Sequence, residues 1–377
     1  MSLEFLARLG GITHRVRQGE VIPADELTAL KAENRRNAEE AEAEDREICD
    51  SLPTWINTTN STVCNLKCGF CPQAYGKGVN WTMTDEVYEK VVSELYPAAE
   101  TVQLSAYGEP MMTPRILEKI SDMERFGVRL ELVTNASLIK GDLLAERLAR
   151  RMGLLTVSID GATPETHNRL RVGSDLKQVL ANLKLYNTHL NRLPEAERAP
   201  IHFNTILMRS TVDELPDFIR LAKDHGGSHV TVNHLVLLEE GFRHEMLDQS
   251  LASKQHTNDV LERAREVATE LDISVNLPPP FVIERGAEEP AAPPPDPIRC
   301  WFLWQRLYVG PNGDVVPCCL SGIHSNGTVA GSTFAEQWNN GMYREMRRRV
   351  HSARPYGACA TCYLVNRSSD TGKYDRV

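Results

Sequence analysis

At 377 residues the chain exceeds what one small core supports, so it predicts one large domain with an appendage, or two domains. A net charge of −9 argues against general affinity for nucleic-acid backbone, and no run of 18 apolar residues offers a membrane span. Met1-Ser2-Leu3-Glu4-Phe5 lacks a basic stretch followed by an apolar one, so no secretory signal is expected and the expected compartment is the cytoplasm. Nine cysteines in such a chain read as metal ligands or reactive thiols rather than disulfides.

Residues 1–51 predict a helical extension, with helices over 3–18 and about 24–49. The second is dense in Ala, Glu and Arg, as in a solvated helix carrying ion pairs. We read the extension as a helical cap, because a peptide-recognition domain needs a larger unit with a β-hairpin. Over 52–277, apolar β-branched runs alternate with amphipathic patterns. Strands are predicted at 55–62, 101–107, 128–135, 154–160, 201–208 and 229–236. Helices are predicted at 84–95, 114–126, 141–151, 175–190, 212–224 and 254–271. That alternation indicates an α/β fold, a parallel sheet wound by right-handed crossovers. Residues 278–299 are proline-rich and read as a linker, leaving 300–377 as a small C-terminal domain. There Asn312-Gly313 signals a hairpin turn, and a helix is predicted over 334–350.

The chemistry is concentrated after the first strand, in Cys64-Asn65-Leu66-Lys67-Cys68-Gly69-Phe70-Cys71. Three thiolates on one tight loop suit an iron–sulfur cluster or zinc. Zinc normally closes with four ligands, and the closest downstream histidine is His167. Three cysteines leave one iron of a 4Fe–4S cluster open to a small molecule. This C-x3-C-x-aromatic-C pattern resembles the signature of radical S-adenosylmethionine (SAM) enzymes.

The resemblance implies a partial (β/α)6 barrel, SAM chelated at the open iron, and one-electron cleavage of SAM to a 5′-deoxyadenosyl radical that abstracts hydrogen from substrate. It implies a flavodoxin- or ferredoxin-type electron donor. It places Phe70 by the adenine, and Gly108 and Glu109 in the loop that meets the SAM amino group. Ser158 becomes a contact for the ribose or carboxylate, and Asn135 or Asp160 an active-site group. Arg169 and Arg171 become candidates for the SAM carboxylate. Each of these also reads as an ordinary cap, turn or core residue. Asn204 lies in the fifth strand, and His234, at the sixth strand's end, is a candidate substrate contact or a structural histidine.

Beyond the linker, Cys300, Cys318, Cys359 and Cys362 form a second set, brought together by the predicted hairpin and helix. Four thiolates suit a closed iron–sulfur site or structural zinc. The pattern resembles the twitch domain, a shortened SPASM domain holding one auxiliary 4Fe–4S cluster, as in the 2-deoxy-scyllo-inosamine dehydrogenase and carbohydrate epimerase group. That implies a carbohydrate-like substrate, a sugar or aminocyclitol of natural-product (antibiotic) biosynthesis, oxidised from carbinol to ketone. Alternatives are an epimerase with Cys319 as hydrogen-atom donor, a peptide or protein side-chain modifying enzyme, and a zinc-bearing binding protein without enzymatic activity. No nucleic-acid or membrane partner is expected.

Overall fold

The computed structural model describes residues 3–71, 73, 80–104, 108–238, 240–283, 300–318, 327–357, 359 and 362. Cys319 and the residues from 284 to 299, among which most of the predicted linker falls, lie outside them.

The chain opens with α1 (Glu4–Arg17) and α2 (Ala24–Ala43). Phe5, Leu9, Ile12 and Val16 recur at helical spacing and are the buried stripe of α1. The Asp50 carboxylate accepts from the Phe5 and Leu6 amides at 3.1 and 3.0 Å, answering the unpaired donors and positive end of that helix.

Next come β1 (Trp55–Thr58), β2 (Lys67–Cys68), α3 (Asp85–Lys90) running into a π-helical turn at Val91–Leu95, β3 (Thr101–Leu104), α4 (Ile116–Arg125), β4 (Arg129–Thr134), α5 (Asp142–Arg151) and β5 (Met152–Ser158). They are followed by α6 (Pro164–Leu170), β6 (Arg171–Val172), α7 (Leu176–Leu190), β7 (Ile201–Leu207), α8 (Leu215–Asp224), β8 (His229–His234), α9 (Leu251–Glu270) and β9 (Ser274–Asn276). The C-terminal part adds α10 (Phe302–Gln305), β10 (Arg306–Val309), β11 (Val315–Val316), α11 (Phe334–Trp338) and α12 (Gly341–Val350). No helix among the described residues is long and apolar enough to cross a membrane.

The six predicted strands form the parallel run β1-β3-β4-β5-β7-β8. The sheet is wider than six, however. β9 extends it in parallel beside β8, and β10 pairs in parallel with β1 on the other edge, with β11 antiparallel beyond. Thus the C-terminal hairpin is part of the barrel sheet. Its turn is the one Asn312-Gly313 predicts, with Gly313 at φ +77° and the Gly310 amide bonded to the Asp314 carbonyl at 2.8 Å.

Helix 334–350 also differs from expectation, being broken between α11 and α12. The Asn340 side chain accepts from the Met342 and Tyr343 amides and starts a new helix. Asn339 turns its amide to the backbone of Cys49, at 2.9 Å each way.

Alternation along the strands sorts the two faces. Ile56, Val102, Leu132, Val157, Phe203, Val230 and Leu307 are buried in one continuous core with residues of the helices; Phe203 meets Phe218 of α8 edge-on. The opposite face of the sheet is polar and half-open. The α2 residue Asn34 donates to the carbonyls of Leu52 and Ala98 at 2.9 and 3.1 Å and accepts from the Leu52 amide at 2.8 Å. Leu52 and Ala98 immediately precede β1 and β3, so α2 spans the end of the sheet opposite the cysteine loop.

Candidate active site

The three-cysteine loop leaves the carboxyl end of β1, where barrel folds gather their functional groups. It is pinned by β2, which pairs antiparallel with β6: Cys68 stands opposite Arg171. The Gly69 amide donates to the Leu170 carbonyl at 3.2 Å, and the Cys71 amide to the Cys68 carbonyl at 3.0 Å. Cys68 is buried, whereas Cys64 and Cys71 are half-buried. Burial pushes the Cys68 thiol up to about 11 and raises Cys64; the nearby Arg171 guanidinium opposes both shifts. Among the described residues no three such side chains stand in a metal-holding arrangement, so binding a metal group here requires the thiols both to converge and to lose their protons.

Two predicted loop residues lie directly against this segment. Gly108 has φ +89°, and a Cβ there would stand 2.6 Å from both the Thr62 carbonyl carbon and the Val63 oxygen. Glu109 holds that contact through its amide, which donates to Val63 at 2.9 Å. Gly108→Ala is therefore expected to cost about 3 kcal/mol or more and to separate the loops, measured by urea unfolding and by SAM binding to the reconstituted protein. A fully stable variant with wild-type SAM affinity would remove this reading.

The Glu109 carboxylate is buried and already engaged. It accepts from Thr134 Oγ1 at 2.5 Å, the Asn135 amide at 2.8 Å and the Met111 amide at 3.1 Å. It thereby ties the end of β3 to the end of β4. Asn135 in turn donates to Asn65 Oδ1 at 3.1 Å and accepts from the Ser137 amide and hydroxyl at 2.9 and 2.6 Å; Asn65 donates to Ser137 Oγ at 2.9 Å. Asn65 and Ser137 were not singled out by sequence. Their signal was position alone: one lies inside the cysteine motif, the other two residues past Asn135.

Arg171 and Asp160 are partners, 2.7 Å apart and both buried. Asp160 also accepts from the Ile206 amide at 2.8 Å. Arg169, by contrast, is exposed and 3.5 Å from Glu245. Phe70 packs with Leu170, Met208 and Leu235 in a small separate cluster, edge-on to Phe242. Ser158 lies opposite Asn204 in register and is half-buried; Asn204 accepts from Asn233 at 2.9 Å. His234 sits beside the Phe281 ring at 4.9 Å, where burial lowers its pKa.

Below this rim the open face of the sheet carries a polar lining. Gln103 Oε1 accepts from Asn57 Nδ2 at 2.7 Å and from Arg306 Nη2 at 2.6 Å. The rings of His202 and His229 are 4.9 Å apart. Glu131 Oε2 and Arg306 Nε are buried without hydrogen-bond partners among the described residues, the Arg306 guanidinium lying over the Trp55 ring at 4.3 Å. The signal was a period-two pattern of polar residues, including Asn57, Gln103, Glu131, His202 and Asn204, on strands whose other face is apolar.

Burial pushes the Glu131 carboxyl up to about 7, against the pull of Arg306. The folded state therefore keeps a proton that the unfolded chain has released, and stability falls as pH rises from the ordinary carboxyl value of 4.5 through about 7. Glu131→Gln is expected to leave stability unchanged below that window and to raise it above pH 7 by up to about 3 kcal/mol. Melting temperatures at pH 4 and pH 8 decide it; an equal shift at both would exclude titration as the cause.

In the C-terminal part, Cys359 and Cys362 are buried, and Cys300 and Cys318 half-buried. The Cys362 amide donates to the Cys359 carbonyl at 3.3 Å. Burial pushes the Cys300 and Cys359 thiols up to about 12 and about 11; Cys300 also feels Cys359 and Cys362, so these three share one locality. Cys49 is fully buried.

Each cysteine set lies within a stretch that matches a known family. Residues 61–222 match the radical SAM superfamily, and residues 300–363 match the SPASM iron–sulfur cluster-binding domain. Each match covers less than half of the chain and lies on one of the two cysteine-bearing segments. These domains imply SAM binding, a 4Fe–4S cluster and auxiliary iron–sulfur.

Among the similar proteins is the AdoMet-dependent heme synthase of Methanosarcina barkeri, 27% identical over 175 residues. The alignment spans 46% of this chain and 48% of that enzyme, about half of each. The PqqA peptide cyclase of Rhodopseudomonas palustris is 22% identical over 314 residues, 79% of this chain and 76% of the cyclase. The crystal structure of Streptococcus suis SuiB bound to S-adenosylmethionine superposes with a TM-score of 0.59 at 16% identity, covering 89% of this chain and 74% of SuiB. That likeness shows the shared fold.

Proposed function

We propose that the protein is a radical SAM oxidoreductase that abstracts a C–H hydrogen from a hydroxylated small molecule, a sugar or aminocyclitol, and oxidises a carbinol to a ketone. The observation that carries the reading is the polar lining of the sheet's open face, where Glu131 and Arg306 hold unpartnered buried atoms. Buried donors and acceptors without partners are costly, and a ligand rich in hydroxyl or amino groups satisfies them.

In this reading Cys64, Cys68 and Cys71 hold the SAM-binding cluster, which supplies the electron for reductive cleavage of SAM. Gly108 admits the backbone of its loop to the cysteine segment, and Glu109 fixes the ends of β3 and β4 beneath it. Phe70, Asn135, Ser158 and Arg169 are proposed SAM contacts, Arg169 after release from Glu245. Cys300, Cys318, Cys359 and Cys362 hold one auxiliary cluster. Dehydrogenation of a carbinol removes a hydrogen atom, a proton and one further electron; the four-cysteine site takes the electron. A flavodoxin or ferredoxin is the proposed donor for the first cluster. The domain limits follow the same reading: an extension to 51, the barrel core over 52–277, a linker over 278–299 and an auxiliary domain from 300 whose hairpin joins the barrel sheet.

A second reading, peptide side-chain modification, is favoured by the likeness to the PqqA peptide cyclase and SuiB. One experiment separates the two. Extracts of the producing cells grown in heavy water are split into small polar metabolites and peptides, and each is offered to the reconstituted enzyme with SAM. Deuterium reaching 5′-deoxyadenosine from the metabolite fraction supports the first reading; transfer from the peptide fraction alone replaces it with the second. The epimerase alternative predicts instead solvent deuterium at an inverted carbon, abolished by Cys319→Ala.

A further inference from the structure

Cys300 is held by an unusual partner. Its backbone amide donates to His351 Nε2 at 2.9 Å, and the opposite ring nitrogen, Nδ1, lies 2.7 Å from Asp45 Oδ1. Because Nε2 accepts, it carries no proton, so the proton sits on Nδ1 and is donated to the carboxylate. The imidazole is stacked on Trp304, with planes 9° apart and centroids 5.6 Å apart, and Trp304 Nε1 donates to the Arg46 carbonyl at 2.9 Å.

Asp45 is placed by the way α2 ends. It has φ +52°, a left-handed conformation that costs a residue with a Cβ about 1–2 kcal/mol. The Arg46 amide reaches back to the Ala41 carbonyl at 2.8 Å and the Asp45 amide to Glu42 at 3.2 Å, closing the helix in a Schellman-type turn. The turn aims the carboxylate across to α12, from whose end His351 projects.

We propose that Asp45 and His351 form a positioning relay for the auxiliary-cluster ligand Cys300, through which the N-terminal helical segment sets that cluster's properties. The proposal rests on the four-cysteine reading above. The relay fixes the backbone from which the Cys300 thiolate projects. It also engages the Cys300 N–H, which is then withheld from cluster sulfur. Hydrogen bonds to cluster sulfurs favour the reduced, more negative state, so an engaged amide keeps the reduction potential low.

The test uses the full chain, anaerobically reconstituted, in a Cys64/Cys68/Cys71→Ala background so that only the C-terminal site takes iron. His351→Phe keeps the ring on Trp304 and deletes the acceptor, whereas His351→Gln keeps an acceptor and deletes the stack. Iron and sulfide per chain and an EPR-monitored redox titration are read for each. The relay predicts that His351→Phe shifts the midpoint upward or lowers the iron content, while His351→Gln stays near the parent. Asp45→Asn should shift the midpoint in the same direction by less. Parent-like iron and midpoint in His351→Phe overturn the relay, and so does a Gln variant shifted as far as Phe, which would show packing rather than acceptance. A parent that takes zinc or no iron overturns the four-cysteine reading itself, and the relay with it.

Discussion

Arg171→Met is expected to destabilise the protein by about 3–5 kcal/mol, because it strands the Asp160 carboxylate in a site with no solvent access. The backbone ladder between β2 and β6 survives the change, but the guanidinium that holds β6 to the end of β5 does not. A second consequence is electrostatic. Arg171 opposes the burial that raises the Cys64 and Cys68 thiols, so its loss makes both harder to deprotonate and iron harder to load. Urea unfolding of the metal-free protein measures the first effect; iron per chain after reconstitution at pH 7 and pH 9 measures the second, with partial recovery expected at the higher pH. Arg171→Met/Asp160→Leu should regain much of the stability and little of the iron. A loss below 1 kcal/mol in the single variant would mean that Asp160 is served by the Ile206 amide and the Thr205 hydroxyl alone.

Glu94→Ala is expected to have a comparable effect for a different reason. The carboxylate, in the π-helical turn, is buried and meets two separate parts of the chain, Arg17 of α1 and the Phe334 amide at the start of α11 at 2.8 Å, besides its helical neighbour Lys90 at 2.9 Å. Its removal leaves the Phe334 amide unpaired and two cations uncompensated, a loss of about 3 kcal/mol. Glu94→Gln keeps an acceptor for the amide and should lose about half as much. Calorimetry distinguishes them, and limited proteolysis should cut the N-terminal helices first in the alanine variant. Equal melting temperatures for all three proteins would show that Glu94 joins nothing.

Much of this was legible in the sequence because it is local. Six β-branched runs became the six central strands, and Asn312-Gly313 became a hairpin. The three-cysteine loop lies where a barrel exposes its working end. What the sequence hid is pairing between distant residues. Asp160 and Arg171 each read as a candidate ligand contact, yet they satisfy one another from the two ends of α6. Glu109 reads as a loop glutamate facing the cofactor, yet its carboxylate is consumed by Thr134, Asn135 and Met111. The helix over 334–350 has continuous periodicity, yet it breaks where Asn340 caps a new helix and Asn339 reaches Cys49, 290 residues earlier. Arg306 reads only as the first residue of a short strand over 306–309, because its role depends on β10 docking beside β1.

That docking also sets a timetable for folding. Trp55 and its register partner Arg306 are separated by 251 residues of chain. As the protein is synthesised, β1 leaves the ribosome early, with the cysteine loop attached to it. One of its edges then waits as an open row of amides and carbonyls until nearly all the rest has been made. The loop-closure cost of that last pairing falls on the strand that leads into the three-cysteine loop. Interruption before residue 306 therefore yields a chain with three thiols in place on an unprotected edge, the intermediate that a cell would have most reason to chaperone.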